Sequence, residues 1–351
     1  MGNKKLILIM QQKGNGGNGT KDKKQGLEKR KKRDTIEWLQ KTEDKRMKTW
    51  IAELMLLSAC VIWGSGFAIM KDALDAIPPN YILAFRFSIA ALAMGICIAK
   101  KLRHLTKKEL LAGLVLGALM YLAYTTQTIG LKYTTAGKNA FLTAVYVALV
   151  PFMMWGARHI RPDRYNVTAA VLCLVGIGIL SLEGDFSMNY GDMLTLVCSV
   201  LYGLHIVAVS FFAGSLDVMR ITWLQFLFSA LFAWCGGGLF ETFPTAWTGG
   251  MAFSVVYLGI FATLAASTMM NVGIKYVEAS HASLLMSTEA FFGCLSGVVL
   301  LGEPLGWRMV VGGALILAAM VISETKLSFL KNKPAEPAVQ SGKAVDNGPG
   351  K

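Results

Sequence analysis

Charge is nearly absent from the middle of this sequence. Only 16% of the 351 residues are Asp, Glu, Lys or Arg, and most of these lie in the first 48 residues or in short breaks between apolar runs. With 54% hydrophobic residues and a mean hydropathy of +0.48, the chain has more apolar surface than a soluble core can hide. An ordinary soluble domain is excluded. The six cysteines (Cys60, Cys97, Cys173, Cys198, Cys235 and Cys294) stand singly inside apolar runs, with no Cys-x-x-Cys pair and no His-rich company. That spacing argues against a disulfide framework or a thiolate metal centre, and no metal or other cofactor is expected. There is no His-Glu-x-x-His for a metalloprotease and no Walker loop for an ATPase. The Gly-x-Ser-Gly of a rhomboid-like protease lacks its first glycine, because Trp63 precedes Gly64-Ser65-Gly66. An intramembrane aspartyl protease would need two buried Asp, whereas Asp185 and Asp192 are expected in an external loop.

What is present is a series of apolar runs, at 51–70, 80–99, 109–130, 137–156, 165–182, 191–212, 219–240, 250–272, 280–301 and 305–323. Each approaches the roughly 20 residues with which a helix crosses about 30 Å of hydrocarbon. Short loops marked by Pro78-Pro79, Pro162, Gly214, Pro244, Gly249-Gly250 and Pro304 separate them. The expected fold is an all-α integral membrane protein with ten transmembrane helices. Residues 1–48 and 324–351 read as disordered cytoplasmic tails, rich in charge, Gly, Pro and Lys. The first tail carries neither a signal-peptide core nor a myristoylation signal, and Met47 is an alternative natural start. Deleting residues 1–47 is expected to leave transport intact.

The net charge of +13 could suggest a nucleic-acid partner, but its placement opposes one. Fifteen of the 35 Lys and Arg fall in the first 48 residues, and most of the others occupy short loops. Counted along the topology with the N-terminus inside, 30 fall on the inner side and 4 on the outer, with Arg86 inside the second run. Both termini are therefore expected in the cytoplasm and the chain in the plasma membrane, against anionic lipid.

An internal repeat emerges from the same reading. Gly130-Leu131-Lys132-Tyr133 before the fourth run resembles Gly273-Ile274-Lys275-Tyr276 before the ninth. Trp63-Gly64 answers Tyr202-Gly203, and Phe87-Ser88 answers Phe228-Ser229, at nearly the same offset. Two copies of a five-helix unit, 51–182 and 191–323, follow. Five is odd, so the second copy is inverted, an architecture that places a substrate site between the halves near the midplane.

These motifs resemble the EamA-like family of the drug/metabolite transporter superfamily. The residues that carry the resemblance are Trp63-Gly64-Ser65-Gly66-Phe67, Phe85-Arg86-Phe87, Leu131-Lys132-Tyr133-Thr134-Thr135 with Ala140-Phe141-Leu142 and Pro151, Leu301-Gly302-Glu303, and Gly312-Gly313. The resemblance covers about residues 51–325 and implies a metabolite permease, often an exporter, that works without ATP. The family often places Pro soon after the acid of the ninth span, where Ala290 stands here.

Glu289 is the sharpest candidate site. A charge near mid-membrane costs roughly 2.5 kcal/mol or more on insertion scales, so it has a partner or a task. It can bind a substrate ammonium or carry a proton; the structural alternative is an ion pair or a neutral acid bonded to a neighbouring helix. Arg86 is its expected partner. At 1.5 Å per residue its Cα lies about 9 Å below the outer end and that of Glu289 about 13 Å above the inner end, close to one level. Arg86 could hold a substrate carboxylate or snorkel to the outer interface. Trp63, Tyr121, Tyr124, Gln127, Asn139, Tyr146, Tyr202, His205 and Asn271 complete the expected pocket, although rings and amides of this kind often serve neighbouring helices instead. Pro151 is expected to kink its helix, and the Gly113/Gly117 and Gly293/Gly297 pairs to bring helices close.

The expected function is a secondary transporter, with an intramembrane enzyme, a passive channel or a membrane scaffold as alternatives. The expected partners are a small-molecule substrate and membrane lipid, with no nucleic acid and a homodimer left open.

Overall fold

The computed structural model describes residues 49–159, 161–182, 187–212, 215–273, 276–277 and 279–326, with backbone alone at 271, 279–284 and 324. The tail readings, Asp185 and the side chain of Asn271 lie outside the described residues. Ten apolar helices follow in order: α1 (Thr49–Ala73), α2 (Pro79–Ile98), α3 (Lys107–Tyr133), α4 (Ala136–Arg158), α5 (Arg164–Ser181), α6 (Tyr190–Phe212), α7 (Val218–Phe240), α8, α9 (Ala279–Leu301) and α10 (Trp307–Thr325). Helix α8 is composite, with α-helix at Gly249–Val256, a π-helical stretch at Tyr257–Ala265 and α-helix again at Ala266–Gly273. The first eight are long and apolar enough to cross a bilayer, and Leu285–Leu301 and Trp307–Ser323 are shorter apolar helices among the described residues. The protein is all-helical and multi-pass.

Local chemistry sets the helix starts. Pro79 occupies the first position of α2, where a missing N–H costs nothing. Thr106 and Glu109 form a capping box on α3, and Asp163 and Asn166 form one on α5. The α9–α10 corner is built differently. Gly302 adopts a left-handed φ of 66°, which only glycine takes at little cost, and the turn lets Glu303 fold back. Its carboxylate accepts the N–H groups of Ala136 at 2.6 Å and Gly137 at 3.1 Å, capping α4 from another part of the chain. Glu303 is buried at 9% exposure, although it lies in the corner between two helices.

Helix α4 also departs from expectation. The interruption falls at Val145, between Ala136–Ala144 and Tyr146–Arg158, and not at Pro151, which lies inside the second segment. The Val145 N–H reaches back only three residues, to Leu142 at 3.4 Å.

Packing brings helices together as antiparallel pairs. Asn80 at the start of α2 donates to Glu241 beyond the end of α7, through its backbone N–H at 2.9 Å and its side chain at 2.9 Å. Asn166 at the start of α5 donates to Ser323 near the end of α10 at 3.1 Å. Between α4 and α9, Gly137 faces Cys294 and Gly293 faces Ala140. Both GxxxG pairs work as close-approach sites: Gly113 and Gly117 meet Leu224 and Phe228 of α7, and Gly293 and Gly297 meet Ala140 and Ala136 of α4. Asp192, expected in a loop, is fully buried in the first turn of α6. It accepts from the Thr134 hydroxyl and pairs with Lys138 at 3.3 Å.

Candidate functional site

Eight of the ten helices enclose a cavity of about 210 Å³. Helices α5 and α10 contribute nothing to its lining and pack against each other outside it. Glu289 of α9, Arg86 of α2, Trp63 of α1, Tyr124 and Gln127 of α3, Tyr146 of α4, and Tyr202 and His205 of α6 all line the cavity. These eight residues, singled out as polar or aromatic positions inside apolar runs, come from six helices, and the bundle brings them to one cavity.

Three candidates stand apart. The Tyr121 hydroxyl donates to Asn80 at 3.0 Å, tying α3 to α2. Asn139 is fully buried, and its amide donates to Thr195 at 2.7 Å and to the Gln127 carbonyl at 3.2 Å. Neither lines the cavity. The backbone of Asn271 belongs to α8, and its side chain lies outside the described residues.

Arg86 does not snorkel. Its side chain is 4% exposed, its Nε–H donates to the Thr263 hydroxyl, and its guanidinium sits 4.5 Å from the centroid of the Tyr124 ring. A cation over a ring face in a dry site is held by the ring quadrupole. Nor does Arg86 form the expected ion pair, since among the described residues no Arg86–Glu289 contact lies within 4.0 Å. Both groups nonetheless line the same cavity. The Glu289 carboxylate, half-buried on the cavity wall, has no hydrogen-bond partner among the described residues.

The aromatic wall is continuous. The Tyr124 and Tyr202 rings meet edge to face at 5.3 Å, Tyr202 and Tyr146 lie 6.1 Å apart, and Phe87 closes on Tyr124 at 5.3 Å. Polar lining is partly satisfied within the protein: Gln127 donates to Thr143 at 3.1 Å, and His205 shares a 3.2 Å hydrogen bond with Gln225. Met70, Met120, Met270 and Met286 also line the cavity, side chains pliable enough to adapt to different apolar shapes.

Gln225, Thr143 and Thr222 are cavity-wall residues that the sequence reading missed, as it missed the buried Thr263 that holds Arg86. Each was visible as a polar residue inside an apolar run, without a spacing to distinguish it. The methionines carried no signal, because the same residue fills cores everywhere.

The cavity ends differ. At the end remote from Lys100–Lys108, the lining residues Met70 and Leu131 are buried. Lys71 crosses behind them and donates to the carbonyls of Leu131, at 3.2 Å, and Thr134. At the basic end, the lining residues Ile206 and Val218 are 37% and 38% exposed.

A bundle of apolar helices around a part-charged, ring-lined cavity defines a polytopic membrane protein with an interior cavity. The profile of the EamA-like transporter family matches residues 50–182 and again 189–325. The chain belongs to that family and is a membrane transporter. An "uncharacterized transporter" of Archaeoglobus fulgidus is 32% identical over 280 residues, covering 79% of this chain and 86% of its own. The "uncharacterized transporter YoaV" of Bacillus subtilis is 22% identical over 286 residues, covering 79% and 98%. A crystal structure with 20% identity superposes with a TM-score of 0.58 over 81% of this chain and 99% of its own, and shares the fold.

Proposed function

We propose that the protein is a secondary exporter of the plasma membrane that carries a small amphipathic metabolite, such as an amino acid or a drug-like compound, by alternating access. The observation that carries this reading is the Glu289 carboxylate, without a hydrogen-bond or ion-pair partner among the described residues, on the wall of a cavity built from both halves of the chain. A buried charge without a partner is costly, and a substrate ammonium or a proton supplies what the fold withholds. Arg86 would take a substrate carboxylate, and the rings and methionines the apolar body.

The inverted repeat is part of the proposal. Corresponding helices α2 and α7, α4 and α9, and α5 and α10 pair antiparallel, as inversion requires. Equivalent glycines also share their surroundings. A Cβ on Gly130 would meet the Gly191 carbonyl and Thr195, and one on Gly273 would meet the Ala52 carbonyl and Leu56, in each case one turn apart on the first helix of the other half. In this reading 51–182 and 191–323 are the two units, Tyr146 corresponds to Glu289, and both termini face the cytoplasm. The cavity, lined by exposed side chains only at the basic end, is then open inward.

The test is flux in proteoliposomes. Candidates come from comparing metabolites of cells with and without the protein, and Glu289→Gln serves as the control. Substrate-dependent, saturable, pH-dependent flux supports a carrier, whereas non-saturating flux that ignores Glu289 would mean a passive channel. Reporter fusions near Arg103 and Arg164 should read cytoplasmic and one near Asp185 external; the reverse would overturn the orientation.

A further inference from the structure

Three hydrogen bonds tie the π-helical stretch Tyr257–Ala265 to α1 and α2 beside the cavity. Trp63 Nε1–H donates to the Ala262 carbonyl at 2.6 Å, Ser65 and Tyr257 share a 2.6 Å hydroxyl contact, and Arg86 Nε–H donates to Thr263 Oγ1. Thr263 is fully buried. Its single hydroxyl proton goes to the carbonyl of Leu258, five residues back, at 2.7 Å. In an α-helix a threonine hydroxyl turns to the carbonyl three or four residues back; the wider π turn brings the fifth within reach. With its proton directed there, the oxygen can only accept from Arg86.

The guanidinium is thus fixed on two sides, along its Nε edge by Thr263 and across its face by Tyr124 at 4.5 Å. Its two Nη groups make no hydrogen bond among the described residues, and Arg86 lines the cavity. We propose that Thr263 is a positioning residue: by holding Nε, it turns the Nη edge of Arg86 into the cavity as a fixed fork for a planar anionic group such as a carboxylate. The inference rests on reading this cavity as the transport site, and it makes the π-helical stretch the element that sets anion recognition there.

Thiol chemistry tests the geometry without a known substrate. Ser267, which lines the cavity one turn beyond Thr263, is changed to Cys in a background where the exposed Cys97 and Cys235 are Ser. Its reaction rates with an anionic and a cationic methanethiosulfonate are then compared. Arg86→Met should lower the anion-to-cation rate ratio about tenfold, the scale of one poorly screened charge. Thr263→Val should lower it roughly threefold, because the charge stays but its orientation is lost. Thr263→Ser should hold the wild-type ratio, and Thr263→Ala makes the same comparison if the valine variant does not fold. A wild-type ratio in Thr263→Val or Thr263→Ala overturns the proposal, as does a wild-type ratio in Arg86→Met, which would mean the charge does not face the cavity. Failure to find a transported substrate would leave these rates untouched, so the transport reading and the positioning role can fail separately.

Discussion

Two carboxylates of α9 and its corner are taken out of water in opposite ways. Glu303 folds over a left-handed Gly302 and receives two backbone N–H groups at the start of α4. Glu289, within α9 itself, lines a cavity and receives none among the described residues. The difference teaches that burial alone does not identify a working residue. A buried acid whose valences are met by the helix ends around it is part of the frame, whereas an acid left open on a cavity wall is available to a ligand.

The largest effect expected from breaking this contrast is on transport. Glu289→Gln should lower it about 100-fold, the loss expected when a charge-assisted contact worth about 2.7 kcal/mol is removed. Its thermal midpoint in detergent should stay close to wild type, because no hydrogen bond to a described residue is lost. Glu303→Gln should behave in reverse, losing about 1–2 kcal/mol of stability from the α4 cap while the folded fraction still transports. Equal damage to stability from both substitutions would erase the distinction.

Packing gives a second, smaller test. A Cβ on Gly130 would lie 2.7 Å from Thr195 Oγ1 and 2.8 Å from the Gly191 carbonyl, whereas one on Gly156 would meet nothing within 4 Å. Gly130→Ala should cost about 1–3 kcal/mol by forcing α3 from α6. Gly156→Ala should gain about 0.5–1 kcal/mol from helix propensity. Matching thermal midpoints for the two would mean that α3 and α6 do not pack this closely.

The smallest effect is at the surface. Burial raises the Asp163 carboxyl, but the Lys326 ammonium at 2.8 Å and the N–H groups of Asn166 and Tyr165 outweigh it, so the pKa lies below its ordinary value of 3.8. A group depressed in the folded state stabilises above its unfolded pKa, and that contribution disappears as pH falls through the folded value. Asp163→Asn should therefore lower the thermal midpoint slightly at pH 7, and the gap to wild type should close below about pH 4. A gap unchanged by acid would show that capping geometry, and not charge, carries the effect.

Much of the frame was legible because it is written in local terms. Apolar runs of membrane length gave helices whose ends fall within about three residues of those observed. Glu289 and the ring-bearing positions of α1, α3, α4 and α6 were recognisable because polarity inside an apolar run is conspicuous. What escaped depends on contacts between distant segments. Nothing near Glu303 says that it caps α4, and nothing near Asp192 says that Thr134 and Lys138 enclose it. The matching level of Arg86 and Glu289 suggested an ion pair, but side-chain direction sends Arg86 to Thr263 on a π-helical turn that no residue of Tyr257–Ala265 advertises.

Proton movement during transport is the most direct probe of Glu289. Proteoliposomes holding a pH-sensitive dye would be given a substrate identified by metabolite comparison, with wild-type and Glu289→Gln protein reconstituted to equal density. Substrate movement should change the internal pH and respond to an imposed pH gradient in the wild type, and do neither in the glutamine variant. Full transport by Glu289→Gln, with the wild-type response to pH, would contradict the assignment and leave the carboxylate as part of the frame.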